Sequence, residues 1–185
     1  MAFEVVKRLE AMGEEVRFLG LVNVPPYIAQ HMHNIELICK LNVSFFLGLL
    51  SKQDSESMGP TFQPLTQKER LEIVWKMSPP ERLAELQLTP EILEHWVEVS
   101  VSLMRCGKGY SPSGAAPAID VFYAVPPRGP DDKVNRLNEL KPWTGFSRSD
   151  ATFTDVPGEH NTLVDIDHAS QFQKLFRSRL EARGV

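Results

Sequence analysis

Metal binding is the first chemistry that the residue types suggest, because His31 and His33 form an HxH pair. Side chains two positions apart on a helix point to different faces, so this pair could not bind one ion from a helix. No further histidine, cysteine or carboxylate stands at ligand spacing, and Cys39 and Cys106 form no CxxC pair. We therefore predict no metal site.

Nucleophilic chemistry by a serine would need a hydroxyl held on a tight strand-to-helix turn, whose signature is GxSxG. The closest match, Gly109-Tyr-Ser-Pro-Ser-Gly114, has one residue too many. A second partial match, Gly145-Phe-Ser-Arg-Ser, lacks the final glycine. The sequence therefore predicts no nucleophile turn within these residues.

Composition and charge exclude several classes of protein. The chain has 185 residues, 42% of them hydrophobic, a net charge of −4 and an isoelectric point near 5.8. This balance gives no basic surface for nucleic acid. The longest apolar stretch, 43–50, is too short to span a bilayer, and the charged first residues do not form a signal peptide. We predict a cytoplasmic protein with neither nucleic acid nor membrane as a partner.

The order of elements indicates an α/β fold with a helical insertion. Apolar periodicity and breaker residues predict a helix at 2–12, strands at 16–22, 118–125 and 151–156, and a final helix at 168–183, with helical segments at 28–50, 66–76, 80–86 and 89–105 between the first two strands. Pro157-Gly158 is predicted to be the turn that ends the last strand.

The predicted organisation has three parts: an opening helix and strand at 1–26, an all-helical segment at 27–110, and the later strands and final helix at 111–185. A covering helix normally follows a strand in a parallel sheet, so the opening helix is expected to be preceded by a strand that the sequence does not contain. The negative end of the final helix dipole explains why basic residues cluster there, namely Arg177, Arg179 and Arg183.

Six large side chains of the helical segment could line a pocket for an acyl or aryl group, although packing in a core is the commoner role of such residues. These side chains are Phe45, Phe46, Trp75, Met77, Trp96 and Met104.

Four segments resemble, in the same order, the thioesterase domains that end non-ribosomal peptide synthetases. They are AFEVVKRLEAMGEE from Ala2, VRFLGLVNVPPYI from Val16, YSPSGAAPAIDVFYAVP from Tyr110 and TDVPGEHNTL from Thr154. The resemblance covers the whole chain and is closest to the fungal synthetase-like enzymes that make aryl quinones, of the atromentin and terrequinone synthetase type. It implies a partial α/β-hydrolase fold without the N-terminal strands and nucleophile turn, in which the helical segment is a lid.

The resemblance assigns the catalytic histidine to His160, which follows the last strand in a Pro-Gly-x-His turn. The acid is left open. Many thioesterases of this kind have an aspartate where this chain has Asn23, and Asp155, Asp131 and Asp132 are substitutes by their closeness to His160 or to a strand end. Each of the three could equally be a solvated loop carboxylate.

The function that the resemblance implies is that of a truncated, inactive remnant. The intact thioesterase domain would condense two aryl-pyruvate thioesters, such as those of 4-hydroxyphenylpyruvate, into a quinone. Without the serine, one oxyanion donor is missing too, because it comes from the residue after the nucleophile. No cofactor is expected, since the chain has no carrier domain to hold phosphopantetheine.

Two alternatives remain open. The chain could be a binding or regulatory module that docks on a carrier domain or a full-length homologue, and the open sheet edge also predicts self-association. It could instead be a hydrolase with a rearranged site that uses Ser111 or Ser113 with His160, which requires a separation of roughly 3 Å between hydroxyl and imidazole.

Overall fold

The computed structural model describes residues 1–27, 35–125, 133–160 and 162–185. The elements are α1 Ala2–Ala11, β1 Gly20–Val22, α2 Ile35–Phe46, α3 Lys52–Ser57, α4 Gly59–Phe62, α5 Gln67–Met77, α6 Pro80–Glu85, α7 Pro90–Cys106, β2 Asp120–Val125, α8 Lys133–Leu140, a 3-10 helix Lys141–Phe146, β3 Thr152–Glu159 and α9 Ile166–Ala182. They form two compact units, one of residues 1–27 and 111–185, which we call the sheet unit, and one of residues 28–110, which we call the helical unit.

A parallel sheet in the order β1-β2-β3 forms the centre of the sheet unit. Gly20 is in register with Asp120, and Asp120 is in register with Thr152. The central strand β2 is almost completely buried, as expected when a parallel sheet is covered on both faces. One face is packed by the apolar side of α1 and by the aromatic residues of the 3-10 helix, where the rings of Phe3 and Trp143 lie 5.3 Å apart.

The other face of the sheet is covered by α9. Phe172 and Phe176 of this helix pack against Phe122 of β2, with ring centroids 5.7 and 5.4 Å from it. Leu175 joins the same cluster, which agrees with the apolar stripe predicted for the final helix.

A buried carboxylate connects α9 to the amino end of β2. Asp120 is fully buried and accepts hydrogen bonds from Arg183 Nε at 2.9 Å and from Arg179 Nε and Nη2 at 3.1 Å. Thr152 also donates to this carboxylate. Burial raises the pKa of Asp120, but the hydrogen bonds from Arg183, Thr152 and Arg179 outweigh it and hold the pKa below the ordinary value. Arg179 and Arg183 therefore neutralise a buried charge, a role beyond the helix-end effect that explains them from sequence alone.

The helical unit has its own apolar core, centred on fully buried side chains such as Phe62, Val74 and Leu93. Side-chain caps begin α3, α5 and α7, at Ser51, Thr66 and Thr89. Thr66 caps α5 by accepting a hydrogen bond from the Glu69 backbone, while the Glu69 carboxylate accepts one from the Thr66 backbone at 2.8 Å. In the described part of the chain no helix is both long and apolar enough to cross a bilayer.

The α/β fold class is confirmed, but several boundaries differ from the sequence-based predictions. β1 has only the three residues Gly20–Val22, although the carbonyl of Leu19 just before it accepts a hydrogen bond from the backbone N–H of Asp120 at 2.9 Å. β3 does not end at Val156 but continues to Glu159, and Pro157 and Gly158 lie in an irregular stretch of it, where the register with β2 shifts between Tyr123 and Val125. An edge strand tolerates proline because its outer backbone needs no ladder partner. α8 and the 3-10 helix occupy a polar region for which no element was predicted.

Candidate functional site

Asn23 and His160 lie at the carboxyl edge of the sheet. Each follows an outer strand, Asn23 after β1 and His160 after β3, and each donates its backbone N–H to the central strand between them. The acceptors are the carbonyl oxygens of Phe122, 2.8 Å from the Asn23 nitrogen, and of Val125, 2.9 Å from the His160 nitrogen. The carboxyl edge of a parallel sheet is where α/β proteins commonly place their sites.

The His160 imidazole is half-buried. Its Nδ1 atom is shielded from solvent and has no hydrogen-bond partner among the described residues. Burial lowers the pKa of His160, and the positive charge of Arg136 lowers it further. In a working Ser-His-acid triad the Nδ1 hydrogen is bound by a carboxylate that stabilises the imidazolium. Burial and the charge of Arg136 instead disfavour the imidazolium form of His160.

Arg136 binds Asn23, the residue that stands where the resemblance leads us to expect an aspartate. Its Nε atom donates to Asn23 Oδ1 at 2.8 Å, and its Nη2 atom donates to the backbone carbonyl of Asn23. Asn23 is 2% exposed and has a φ of 51°, a left-handed conformation that asparagine adopts more readily than most residues. The Asn23 Nδ2 atom, like His160 Nδ1, has no partner in the described part of the chain.

Helix α8 positions Arg136. The guanidinium Nη1 atom also contacts Glu139 Oε2, one turn further along the helix, at 2.6 Å, and Leu140 anchors the helix in the core. Sequence reasoning missed this arginine, although Arg136, Leu137 and Leu140 follow helical spacing and could have revealed an inward face.

The three candidate acids have different outcomes. Asp155 is exposed, and its Oδ1 atom accepts a hydrogen bond from Lys133, so this carboxylate is engaged away from His160. Asp131 and Asp132 lie outside the described residues. No described carboxylate is therefore brought to Nδ1 of His160.

The bend that precedes His160 depends on Gly158. This residue has a φ of 78°, and a Cβ atom placed on it would lie 2.6 Å from Cδ2 of His168 and 2.8 Å from Oγ1 of Thr162. The same Thr162 hydroxyl accepts a hydrogen bond from the Glu159 backbone at 2.9 Å. Close packing against the start of α9 thus fixes the path of the chain into His160.

Ser111 and Ser113 are exposed in the loop that leads to the amino end of β2, whereas His160 lies at the carboxyl edge of the same sheet. The carbonyl of Ser113 accepts a hydrogen bond from Lys7 of α1 at 2.8 Å. Within the described residues no hydrogen bond joins either serine to His160. The rearranged site considered for these serines has no support from the geometry.

The six large side chains singled out in the helical unit do not form one group. Trp75 packs against the core of the unit. Phe46, Met77 and Trp96 are 49%, 42% and 40% exposed, so the expectation of core packing is wrong for them. Among the described residues no group of three metal-binding side chains occurs, and His31 and His33 are not in that part of the chain.

The chain matches several fungal proteins along its whole length. It is 62% identical over 187 aligned residues to an atromentin synthetase of Serpula lacrymans and 60% identical to one of Suillus grevillei. It is also 54% identical to a Paxillus involutus protein named an inactive atromentin synthetase. In each case the alignment covers 100% of this chain but 19% of the relative, so the chain spans about a fifth of the length of these relatives.

Solved structures show the same fold. The Vlm2 thioesterase domain bound with a dodecadepsipeptide matches 95% of this chain and 60% of its own, with a TM-score of 0.61 and 17% identity. A four-domain nonribosomal peptide synthetase bound to AMP and glycine matches 96% of this chain and 13% of its own, with a TM-score of 0.67 and 16% identity. No protein-family model matches the chain. The chain therefore has the fold of part of a thioesterase domain and is similar over its whole length to the C-terminal part of the fungal atromentin synthetases.

Proposed function

We propose that these 185 residues are a thioesterase-domain segment of an atromentin-synthetase-like protein that does not catalyse acyl transfer by itself. The observation that carries this proposal is the environment of His160, which stands at the expected edge of the sheet beside a guanidinium and without a described carboxylate at Nδ1. A general base of a serine enzyme must become an imidazolium during the reaction, and a neighbouring cation opposes this change.

The sequence supports the same proposal. A histidine base needs a hydroxyl to deprotonate, and no GxSxG turn occurs in these residues. Two of the relatives from Paxillus involutus, 54% and 55% identical to this chain, are themselves named inactive atromentin synthetases. Others of similar identity carry no such label, so this support is secondary to the geometry.

For the chemistry of a whole protein of this kind, the proposal follows the resemblance. A complete synthetase would hold two aryl-pyruvate units as thioesters, and its thioesterase domain would join them through carbon–carbon bonds into a quinone. We propose 4-hydroxyphenylpyruvate as the representative unit and the cytoplasm as the compartment.

The test compares three proteins under one set of conditions. The purified chain, its His160→Ala variant and a full-length atromentin synthetase are each supplied with 4-hydroxyphenylpyruvate, ATP, magnesium and an aryl-pyruvyl thioester of a small thiol. We expect the full-length enzyme to form quinone, and the chain and its variant to release thiol at the same background rate. Quinone formation by the purified chain, or thiol release by the chain at a rate above that of the His160→Ala variant, would refute the proposal.

A second candidate function is docking on another protein, and one feature of α7 favours it. Four apolar side chains recur at helical spacing along one stripe of this helix and are 39 to 64% exposed: Ile92, Trp96, Val99 and Leu103. A shallow cavity of about 440 Å³ lined by Val43, His95, Trp96, Val99 and Ser100 lies on the same unit. Contiguous exposed apolar residues of this kind often mark an interaction surface.

We propose a carrier domain or a full-length homologue as the partner of this stripe. Binding would be measured by isothermal titration with the excised carrier domain and with the full-length synthetase. The Trp96→Ser, Leu103→Ser double variant is expected to abolish the heat of binding, and Glu181→Gln, an exposed change in the sheet unit, is expected to leave it intact. Absence of binding by the unchanged chain to both partners would eliminate this function.

A further inference from the structure

A cavity of about 320 Å³ in the helical unit is lined by residues of α2, α5 and α7. The described residues around it include three cationic side chains and one carboxylate: Lys40, Arg70, Arg105 and Glu98. The whole chain has a net charge of −4, so this local excess of positive charge runs against its overall balance. A concave site lined mainly by one sign of charge concentrates ions of the opposite sign.

Lys40 is the most buried of these cations, with 3% of its surface exposed. Its ammonium donates a hydrogen bond to the backbone carbonyl of Gln67, at the start of α5, over 3.1 Å. Lysine is seldom buried to this degree unless its ammonium is bound. The carbonyl therefore helps to fix the position of this positive charge beside the cavity.

Arg70 is held in place by the end of α4. Its Nε atom donates to the carbonyl of Phe62 at 2.6 Å, and its Nη2 atom donates to the carbonyl of Gln63 at 3.0 Å. A guanidinium carries five donor hydrogens in a rigid plane, so these two bonds orient the others. Such a fixed planar array matches the oxygens of a phosphate group.

Helix α7 adds a third set of groups to the cavity. Glu98, Val101, Ser102 and Arg105 follow the spacing of one helix face, and the Ser102 hydroxyl and the Arg105 guanidinium are both donors on exposed side chains. Val97, which is 2% exposed, adds an apolar surface to the same cavity. The exposed apolar stripe of α7 consists of other residues, so the cavity is distinct from that stripe.

We propose that this cavity binds the phosphate group of a small phosphorylated molecule, with Lys40, Arg70 and Arg105 as its counter-charges. A phosphate monoester carries about −1.5 to −2 charges at neutral pH, and it therefore suits a cluster of cations better than a carboxylate does. The cavity volume lies within the range of about 300–1,000 Å³ that is usual for small-molecule sites. It leaves room for an organic group against Val97 and Val101. The proposal rests neither on the lack of catalysis nor on docking by α7.

The experiment follows the backbone amide signals of the full chain by nuclear magnetic resonance, at constant ionic strength and about pH 7.5, where a phosphate monoester is mostly a dianion. Butyl phosphate is the probe, inorganic phosphate tests the phosphate group alone, and butanol is the uncharged control. We expect both phosphates to give saturable shifts of the Gln67 and Ser102 amide signals, and butanol to give none. Absence of saturable shifts with butyl phosphate, or equal shifts with butanol, would overturn the proposal.

Three single variants locate the binding, and each replaces an exposed charged side chain. Arg105→Gln is expected to weaken butyl phosphate binding roughly fivefold, as for one charge-assisted hydrogen bond at a partly exposed site. Glu98→Gln is expected to strengthen binding, because it removes a carboxylate that repels the phosphate. Lys68→Gln is the matched control, since Lys68 belongs to the first turn of α5 but lines a different cavity.

The variants also separate a defined site from a general effect of charge. If Lys68→Gln weakens binding as much as Arg105→Gln does, the phosphate responds only to the net charge of the unit and the proposal fails. The proposal also fails if Glu98→Gln leaves the affinity unchanged, because the phosphate would then lie outside this cavity.

Discussion

The Nε hydrogen of Arg136 is bound by Oδ1 of Asn23 at 2.8 Å, across 113 residues of sequence. The contact joins α8, a helix that was not predicted from the sequence, to the residue that follows β1. It gives the oxygen of the buried Asn23 side chain a hydrogen bond from a charged donor.

The stability of the chain is expected to depend on pH through His160. Its pKa is lowered in the folded state by burial and by Arg136, from an ordinary value of 6.5. The stability that the uncharged His160 contributes to the folded state is therefore fully present above the pKa of the unfolded state. It is lost as the pH falls through the pKa of the folded state. Thermal unfolding between about pH 7.5 and about pH 5.5 should show a larger decline in Tm for the unchanged chain than for His160→Gln. Equal declines would contradict this.

Asp120→Asn is expected to destabilise the sheet unit by about 2–4 kcal/mol, because it leaves Arg179 and Arg183 without their buried counter-charge. This loss of stability is smaller than that expected on breaking a fully buried ion pair, because the side chains of Arg179 and Arg183 are 28% and 19% exposed. Denaturant unfolding measures the change. Glu181→Gln, an exposed substitution on the same helix, serves as the control and should fall within about 0.5 kcal/mol of the unchanged chain.

Gly158→Ala is expected to destabilise the approach to His160. A left-handed conformation costs an alanine about 1–2 kcal/mol. The added methyl group would also lie 2.6 Å from the His168 ring, which must move. Gly145→Ala, where a Cβ atom meets no neighbour within 4 Å, is the matched control. If both variants melt at the same temperature, the bend at Gly158 does not need a glycine.

Thr66→Ala is expected to weaken the start of α5 by about 1 kcal/mol, the usual value of an N-cap side chain. The capping box formed with Glu69 is lost in this variant. Amide hydrogen exchange in the first turn of α5 is the appropriate measurement, because it reports on the helical unit alone. Thr61→Ala removes an exposed hydroxyl that lies within α4 and does not cap it. This control should leave amide exchange in α5 unchanged.

Much of the fold could be predicted because its signals are local. The apolar stripes of α1 and α9 and the caps at Thr66 and Thr89 depend on residues close together in sequence. The place of His160 after the last strand was also predicted from the sequence, whereas its role as the base was implied by the resemblance. β3 was predicted too short because Pro157-Gly158 has the composition of a turn, whereas in the structure these two residues lie in an irregular stretch after which pairing with β2 resumes at Glu159.

The candidate site could be predicted only in part, because its decisive contacts are long-range. The pairing of Arg136 with Asn23 depends on how α8 packs against β2 of the sheet, which no local pattern reveals. The ion pairs of Asp120 could not be predicted either, because its partners Arg179 and Arg183 are 59 and 63 residues away in sequence. A single acidic residue inside the apolar run 118–125 was the available clue, because an unpaired buried carboxylate would be prohibitively costly.

The cluster of Asp120, Arg179 and Arg183 stabilises the fold, so its residues are expected to be constrained by folding. The residues at the other end of the sheet are expected to be constrained by catalysis. The cluster lies at the amino end of β2, opposite the edge that bears Asn23 and His160, and it contributes to folding whether or not any reaction occurs. In a lineage released from catalysis, substitutions should accumulate first at the carboxyl edge. Loss of the aspartate or of either arginine would mark a later stage, at which the sheet unit loses stability.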